Sequence, residues 1–343
     1  MARINLAFIQ GYIEDDPIII KENNGESIKR VMLNLQLSRG FREVGDNRSE
    51  NRYDVVQLAT EEDVNAKIMA ELKKGDIIRV KGVYTTRLGE KIDTCKYCGK
   101  KIRRTAMITF VTPIKIDIVS RDNSPNEAFK YITANKEISN QLYFFGTLMT
   151  DPIEMKFGNK KVLCQYQVAS GRKYIIKDDD PNVRYDYPWV KSYGDNAIED
   201  KKRLYKGSEV FLDGFLQTRY FKRKFVCGQA HDDKGKPLYD EATGQPLIAK
   251  DELGNFIGCG EENYSNDYTT EIVPYEVEYL ANYKTDKVLE DELKDFAEEQ
   301  GEEDVFDFLS DSTDIKELLG DNVESSSFTE DDLMFGLDIN DDL

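Results

Sequence analysis

Apolar positions along this chain fall mostly in short runs. Residues 4–11 and 31–37 are apolar or alternating stretches of strand length, and residues 53–58 and 76–84 follow with β-branched enrichment. One stretch changes period: within residues 61–72, Val64, Ile68 and Leu72 lie one helical turn apart, and Lys73-Lys74-Gly75 closes the turn with basic residues and a glycine C-cap. The same order returns later, with a helix over residues 198–205 closed by Lys206-Gly207. Five strands with a helix between the third and fourth is the order of an OB-fold, a small partly open Greek-key barrel. A five-stranded SH3-like barrel is the rival, but it usually lacks that helix.

The chain is in fact written twice. Gly11, Asp16-Pro17-Ile18, Ser38, Arg52-Tyr53-Asp54, Lys74-Gly75, Gly82, Thr86-Arg87 and Cys95 recur as Gly146, Asp151-Pro152-Ile153, Ser170, Arg184-Tyr185-Asp186, Lys206-Gly207, Gly214, Thr218-Arg219 and Cys227. From Ser38 to Cys95 the offset is constant, and after an insertion the match resumes with Cys98-Gly99 answered by Cys259-Gly260. The expected architecture is therefore all-β with short helices: two tandem OB-fold barrels with cysteine-bearing hairpins and a disordered acidic tail. The expected boundaries are residues 1–121 for the first barrel, 122–139 for a linker, 140–284 for the second barrel and 285–343 for the tail. Residues 228–258 form a long insertion in the second barrel's hairpin, rich in Gly, Asp and Lys and expected to be mobile.

Charge refines this picture. The net charge of −18 belongs to residues 285–343, which hold 22 acidic and 3 basic residues and leave the body close to neutral. That tail cannot bury enough apolar surface to offset its ordering entropy; one short helix is expected around Val288, Leu289, Leu293 and Phe296. No long apolar run suits a membrane span, the N-terminus lacks a signal pattern, and five cysteines are an odd number for a disulfide framework. A reducing cytoplasm is expected, that of a host if the chain is viral. A single histidine gives nucleophilic catalysis little to stand on, and no Walker-type loop or dinucleotide fingerprint occurs, so an enzyme is not expected. Asp178-Asp179-Asp180, followed by Pro181, reads as a solvated loop in preference to a Mg²⁺ site.

The cysteines carry a separate chemistry. Cys95-x2-Cys98-Gly99 is half of a zinc knuckle, and Cys227 and Cys259-Gly260 repeat it around the insertion. The economical expectation is that Cys95, Cys98, Cys227 and Cys259 close one structural Zn²⁺ site that clamps the two barrels. The alternatives are a separate site with His231, or no metal. Cys164 lies in a strand and reads as core.

The run Gly11-x4-Asp16-Pro17, an Asn24-Gly25 hairpin and Asn34-Leu35-Gln36-Leu37-Ser38-Arg39 resembles the opening of bacterial single-stranded DNA-binding proteins. Tyr187-Pro188-Trp189-Val190, a Gly194 turn, a helix and Gly214-Phe215-Leu216-Gln217-Thr218-Arg219 resemble that family's third strand, helix and fourth strand more closely. The resemblance implies single-stranded DNA binding without sequence preference in replication, recombination and repair. It also implies a tail that docks partner proteins and, since relatives assemble four barrels, a homodimer, with a monomer whose zinc clamp replaces the partner chain as the alternative. The residues suited to phosphate neutralisation and base stacking are Arg39, Phe41, Arg42, Arg52, Tyr53, Tyr84 and Arg87 in the first repeat. In the second they are Arg172, Lys173, Tyr174, Arg184, Tyr185, Tyr187, Trp189, Arg219, Tyr220, Phe221, Lys222, Arg223, Lys224 and Phe225. Tyr185, Tyr187 and Trp189 alternate, so all three belong to the core or all three to the groove.

The tail tip alternates acidic residues with Phe335, Leu337, Ile339 and Leu343, which suits docking on a partner; a solubilising role and DNA mimicry are the alternatives. It ends in Leu343 where the resembled family has phenylalanine. An RNA-binding OB protein or a protein-binding scaffold remains the rival function.

Overall fold

The computed structural model describes residues 3–22, 27–39, 53–60, 64–157, 161–174, 184–232, 237–240 and 242–291. The first repeat runs β1 (Asn5–Ile13), β2 (Ile18–Lys21), β3 (Ile28–Ser38), β4 (Tyr53–Thr60), α1 (Val64–Ala70), β5 (Ile77–Thr94) and β6 (Lys101–Ser120). β1 pairs antiparallel with β3 and β5, β3 with β4, and β5 with β6. A parallel contact between Leu58 of β4 and Val111 of β6 closes the cycle into a five-stranded OB barrel, with β2 a short edge strand on β3. Closure puts one face of every strand inside: Val31, Leu33, Leu35 and Leu37 alternate inward from β3 to meet Val56 and Leu58 of β4. Full burial of each such side chain contributes about 1.5–3 kcal/mol.

After the helix α2 (Pro125–Ala134), the second repeat rebuilds the barrel. It uses β7 (Asn140–Leu148), β8 (Ile153–Phe157), β9 (Lys161–Gly171), β10 (Tyr185–Asp186), β11 (Trp189–Tyr193), α3 (Asp195–Arg203), β12 (Glu209–Val226) and β13 (Glu262–Ala281). The cycle β7, β9, β11, β13, β12 closes through a parallel contact between Val190 and Ile272. The expected fold class, all-β with OB barrels and short helices, is the one observed.

Two features exceed the sequence reading. First, β1 and β7 pair antiparallel, with Ala7 opposite Leu142, its own counterpart in the repeat, so a local twofold axis passes through this pair. Buried residues of both barrels, among them Ile9, Leu35, Phe144 and Tyr166, then form one connected core. Second, the segment read as a plain linker is a helix. Ser124 caps it in a capping box with Glu127, Pro125 occupies its first turn, and Phe129 packs its ring 5.2 Å from Tyr12 and 5.1 Å from Tyr53.

β5 and β12 are each 18 residues long, too long for the barrel alone. Both shift register at a glycine, between Lys81 and Gly82 and between Asp213 and Gly214. No side chain fits there: a Cβ at Gly214 would lie 2.3 Å from the Val273 carbonyl oxygen. Beyond these bulges the strands leave their barrels as two long hairpins, β5–β6 and β12–β13. The insertion between Gly228 and Gly258 is a set of short bridged turns, with Gln229 opposite Ile248, Tyr239 opposite Pro246 and Lys250 opposite Phe256. Its described residues therefore carry regular backbone pairing, where the composition suggested only a loose excursion. No helix among the described residues is long and apolar enough to cross a membrane. Residues 286–291 are helical, at the start of the short tail helix expected from the sequence.

Candidate nucleic-acid interface and thiolate cluster

The tips of the two hairpins meet. Cys95 and Cys98 from β5–β6 and Cys227 and Cys259 from β12–β13 place their four sulfurs within 4.8 Å of one another. Cys95 Sγ lies 3.6 Å from Cys259 Sγ, and Cys98 Sγ 3.5 Å from Cys227 Sγ. Each half is a knuckle of the same geometry: Gly99 N–H donates to the Cys95 carbonyl and Gly260 N–H to the Cys227 carbonyl, with both glycines at positive φ. The insertion leaves the second knuckle intact because its ends, Gly228 and Gly258, close on each other. Four thiolates around one Zn²⁺ at about 2.3 Å would sit about 3.8 Å apart, so the donor set and spacing fit. Burial pushes the Cys227 thiol up to about 12; at Cys95 burial acts upward too, but hydrogen bonds from the Cys98 and Tyr97 backbone outweigh it and hold the thiol near about 6. His231 is not part of the cluster.

Behind the tips, buried ion pairs tie the hairpins together. Asp93 of β5 meets Arg104 at 3.1 Å and also Arg223 of β12, while Asp267 of β13 accepts from Lys91 and Arg104 of the first hairpin. Burial alone would raise the Asp267 carboxyl, but Lys91 and Arg104 prevail and hold it below the ordinary carboxylate range. Asp93 and Asp267 are each under a tenth exposed, so each depends on its cations.

The outward face of the second barrel is aromatic and basic. Trp189, Lys191 and Tyr193 alternate along β11 and point away from the core side chain Val190. Trp189 is 36% and Tyr193 42% exposed. Between them the Lys191 Nζ and the Arg219 guanidinium converge on buried Glu271, at 3.1 and 2.7 Å. Burial lowers the Lys191 ammonium from its usual value. On the second hairpin, Tyr220, Lys222 and Lys224 share an exposed face with Tyr264, Asn266 and Tyr268 opposite them.

No curated protein matches the chain. Residues 139–231 match the single-strand binding protein family. The match lies within the second repeat, from the start of β7 into the hairpin insertion. Among solved structures, a deletion mutant of the single-stranded DNA binding protein from Thermus aquaticus superposes with TM-score 0.46 at 17% identity, over 84% of this chain and 100% of its own. The wild-type Thermus aquaticus protein gives 0.45 at 16% identity, over 83% and 97%. A Plasmodium falciparum SSB complex with ssDNA gives 0.27 at 19% identity, over 36% and 98%.

The structure divides the candidate residues. Trp189, Tyr185, Lys173, Tyr220, Lys222 and Lys224 are exposed, and Tyr174, Arg184, Tyr187, Arg87, Arg219, Phe221 and Arg223 are half-buried. Tyr185 and Trp189 are both exposed and Tyr187 between them is half-buried, so the trio is not core. Several others are corrected. Arg172 is buried, its Nε 2.8 Å from the Asp186 carboxylate, and Arg39 holds Asp54 in the same way at 2.5 Å, so both guanidinium groups hold the barrels instead of facing phosphate. Tyr84 is fully buried with its hydroxyl donating to the Thr270 carbonyl at 2.5 Å, and Phe225 packs under Arg223; both are interior. Tyr53 is covered by Phe129. Phe41, Arg42 and Arg52, the Asp178–Asp180 run, and the tail residues Phe335, Leu337, Ile339 and Leu343 lie outside the described residues. Cys164 is core, as expected.

Sequence reasoning missed Lys191, Tyr193, Tyr264 and Tyr268. The β11 pair could have been found by continuing the alternation two steps past Trp189. The β13 tyrosines become neighbours of Tyr220 only through hairpin register.

Proposed function

We propose that this chain binds single-stranded DNA without sequence preference. The observation that carries the reading is the exposed alternation of Trp189 and Tyr193 around Lys191 and Arg219, within the repeat that matches the single-strand binding protein family. Unpaired bases stack on such rings whatever their sequence, at about 1–3 kcal/mol per base, while nearby cations neutralise phosphate. Lys191 is buried against Glu271, so of the two cations it is half-buried Arg219 that stays accessible beside the rings. The joined barrels form a rigid support for that face.

Cys95, Cys98, Cys227 and Cys259 would hold one Zn²⁺, which supplies a tetrahedral structural link between the hairpins of the two repeats. Residues 285–343 would recruit replication, recombination and repair proteins in the cytoplasm through the apolar tip Phe335, Leu337, Ile339 and Leu343, and two chains would associate as a homodimer. The support for tail docking is the alternation of acidic and large apolar residues.

Trp189 is the single tryptophan, so its fluorescence reports directly on this face. Titration with a 30-nucleotide oligo(dT), against duplex DNA and RNA of equal length over a salt series, is expected to give quenching by the single DNA strand and an affinity that falls steeply with salt. Absence of binding, even after removal of residues 285–343, overturns the proposal.

A further inference from the structure

The two hairpins exchange places. Thr86 at the root of the first hairpin donates its N–H to Asp186 of the second repeat at 2.9 Å, and its hydroxyl accepts from Tyr187 N–H at 2.8 Å. Thr218, at the root of the second hairpin, donates its N–H to Asp54 of the first repeat at 3.2 Å. Each hairpin therefore leaves its own barrel beside the third strand of the other.

The faces brought together are unlike. The first repeat's own strand face carries Asn34, Gln36, Val55 and Gln57 between the inward leucines and valines, and its one aromatic there, Tyr53, is covered by Phe129. Next to it stands the tyrosine hairpin, held there by the Thr218 N–H bond to Asp54, with Tyr220 close enough to Asp54 and Glu14 to feel their charge. Tyr220 and Tyr264 are 58% and 51% exposed, and the Tyr220 and Tyr268 rings lie 6.0 Å apart. Lys91 Nζ sits 4.6 Å from the Tyr268 ring centre and holds it in place. The second repeat, by contrast, has Trp189 and Tyr193 on its own strands, and the hairpin rooted beside it exposes Leu88, Ile92 and Met107. Each repeat thus has one aromatic wall, supplied by its own strands in one case and by the other repeat's hairpin in the other.

We infer that Tyr220, Tyr264 and Tyr268, with Lys222 and Lys224, form a second stacking surface for single-stranded nucleic acid that completes the binding face of the first repeat in trans. This rests on the single-strand-binding reading above and extends it to Tyr264 and Tyr268, which lie beyond the family match. Exposed Tyr220 and Tyr264 on one face with Lys222 and Lys224, backed by half-buried Tyr268, suit a polyanion with unpaired bases. The acid at the edge of this face, Glu262, is engaged by Lys224 at 2.8 Å. A protein partner would be expected to favour the aliphatic hairpin instead.

The test uses the full chain and a 60-nucleotide oligo(dT), long enough to engage both surfaces. Tyr220→Ala and Tyr264→Ala are each expected to weaken binding about tenfold, with Tyr264→Phe restoring it, because a phenyl ring stacks as a phenol does. Leu88→Ala and Ile92→Ala on the other hairpin are the controls and should bind as wild type. Wild-type binding with undiminished affinity in Tyr220→Ala and Tyr264→Ala overturns this inference and leaves the proposed function standing. A loss shared by Tyr264→Phe overturns stacking as the mechanism. Failure of the wild type to bind removes both.

Discussion

The Asp54 carboxylate of the first repeat accepts the Thr218 N–H of the second at 3.2 Å, and the equivalent Asp186 accepts the Thr86 N–H at 2.9 Å. Each aspartate is also held by an arginine of its own repeat, Arg39 or Arg172. The pair of latches obeys the same local twofold as the Ala7 and Leu142 contact, and it seats each hairpin over the opposite barrel. Asp186 and Arg172 are almost entirely out of solvent, so removal of the carboxylate leaves an uncompensated buried cation. Asp186→Ala is expected to destabilise the protein by about 3–5 kcal/mol, read as a lower urea midpoint. A variant within about 0.5 kcal/mol of wild type would show that the latch is dispensable.

Asp200 gives the protein a pH dependence of unusual sign. It lies on the buried side of α3, where it accepts from the Tyr166 hydroxyl at 3.1 Å and the Tyr279 hydroxyl at 2.9 Å, and burial pushes its carboxyl up to about 6 despite those bonds. The folded protein holds this proton more tightly than the unfolded chain, whose aspartate titrates near 3.9. The resulting stabilisation is full below about pH 4, declines as pH rises, and is gone above about pH 6. Two units correspond to about 3 kcal/mol. Asp200→Asn, which cannot ionise, should therefore gain about that much relative to wild type between pH 4 and pH 7. Parallel denaturation curves for the two proteins across this range would contradict it.

Metal removal is expected to loosen the hairpin tips without unfolding the barrels. Cys95 and Cys259 are 164 residues apart in sequence, and a crosslink over so long a loop is worth about 5 kcal/mol in the chain-entropy account. Native mass spectrometry should find one zinc per chain, and a chelator or Cys98→Ser should lower Tm by about 10 °C. Zinc absent from protein purified under reducing conditions, or a Tm indifferent to chelation, would remove the clamp.

Much of this architecture is legible in the sequence, for reasons that can be stated. The duplication fixes which residues correspond, the alternation of Val31, Leu33, Leu35 and Leu37 marks a strand with one buried face, and the two cysteine pairs fall at equivalent hairpin tips. What local pattern cannot supply is the partner of a charge. Arg172 and Arg39 look like phosphate contacts until Asp186 and Asp54 are seen against them, and Tyr84 looks like a stacking residue until Thr270 arrives from 186 residues away. The linker helix is a different case. Ser124-Pro125-x-Glu127 is a capping box with proline in the first turn, a helix signal present within the segment read as a linker.

The repeats share one pattern of key positions but not one packing, and one glycine pair measures the difference. At Gly11 a Cβ would lie 2.2 Å from the Gln36 carbonyl oxygen and 2.7 Å from Leu37 Cδ2, so backbone must move to admit it. At the equivalent Gly146 the nearest atoms are 3.1 Å away, a crowding relieved by a shift of a few tenths of an ångström. Gly11→Ala should therefore cost about 3 kcal/mol or more, and Gly146→Ala about 1 kcal/mol or less. Since β1 also pairs with β7, the Gly11 variant strains the seam between the barrels as well as its own sheet. Equal urea midpoints for the two variants would mean that the first barrel relaxes as readily as the second.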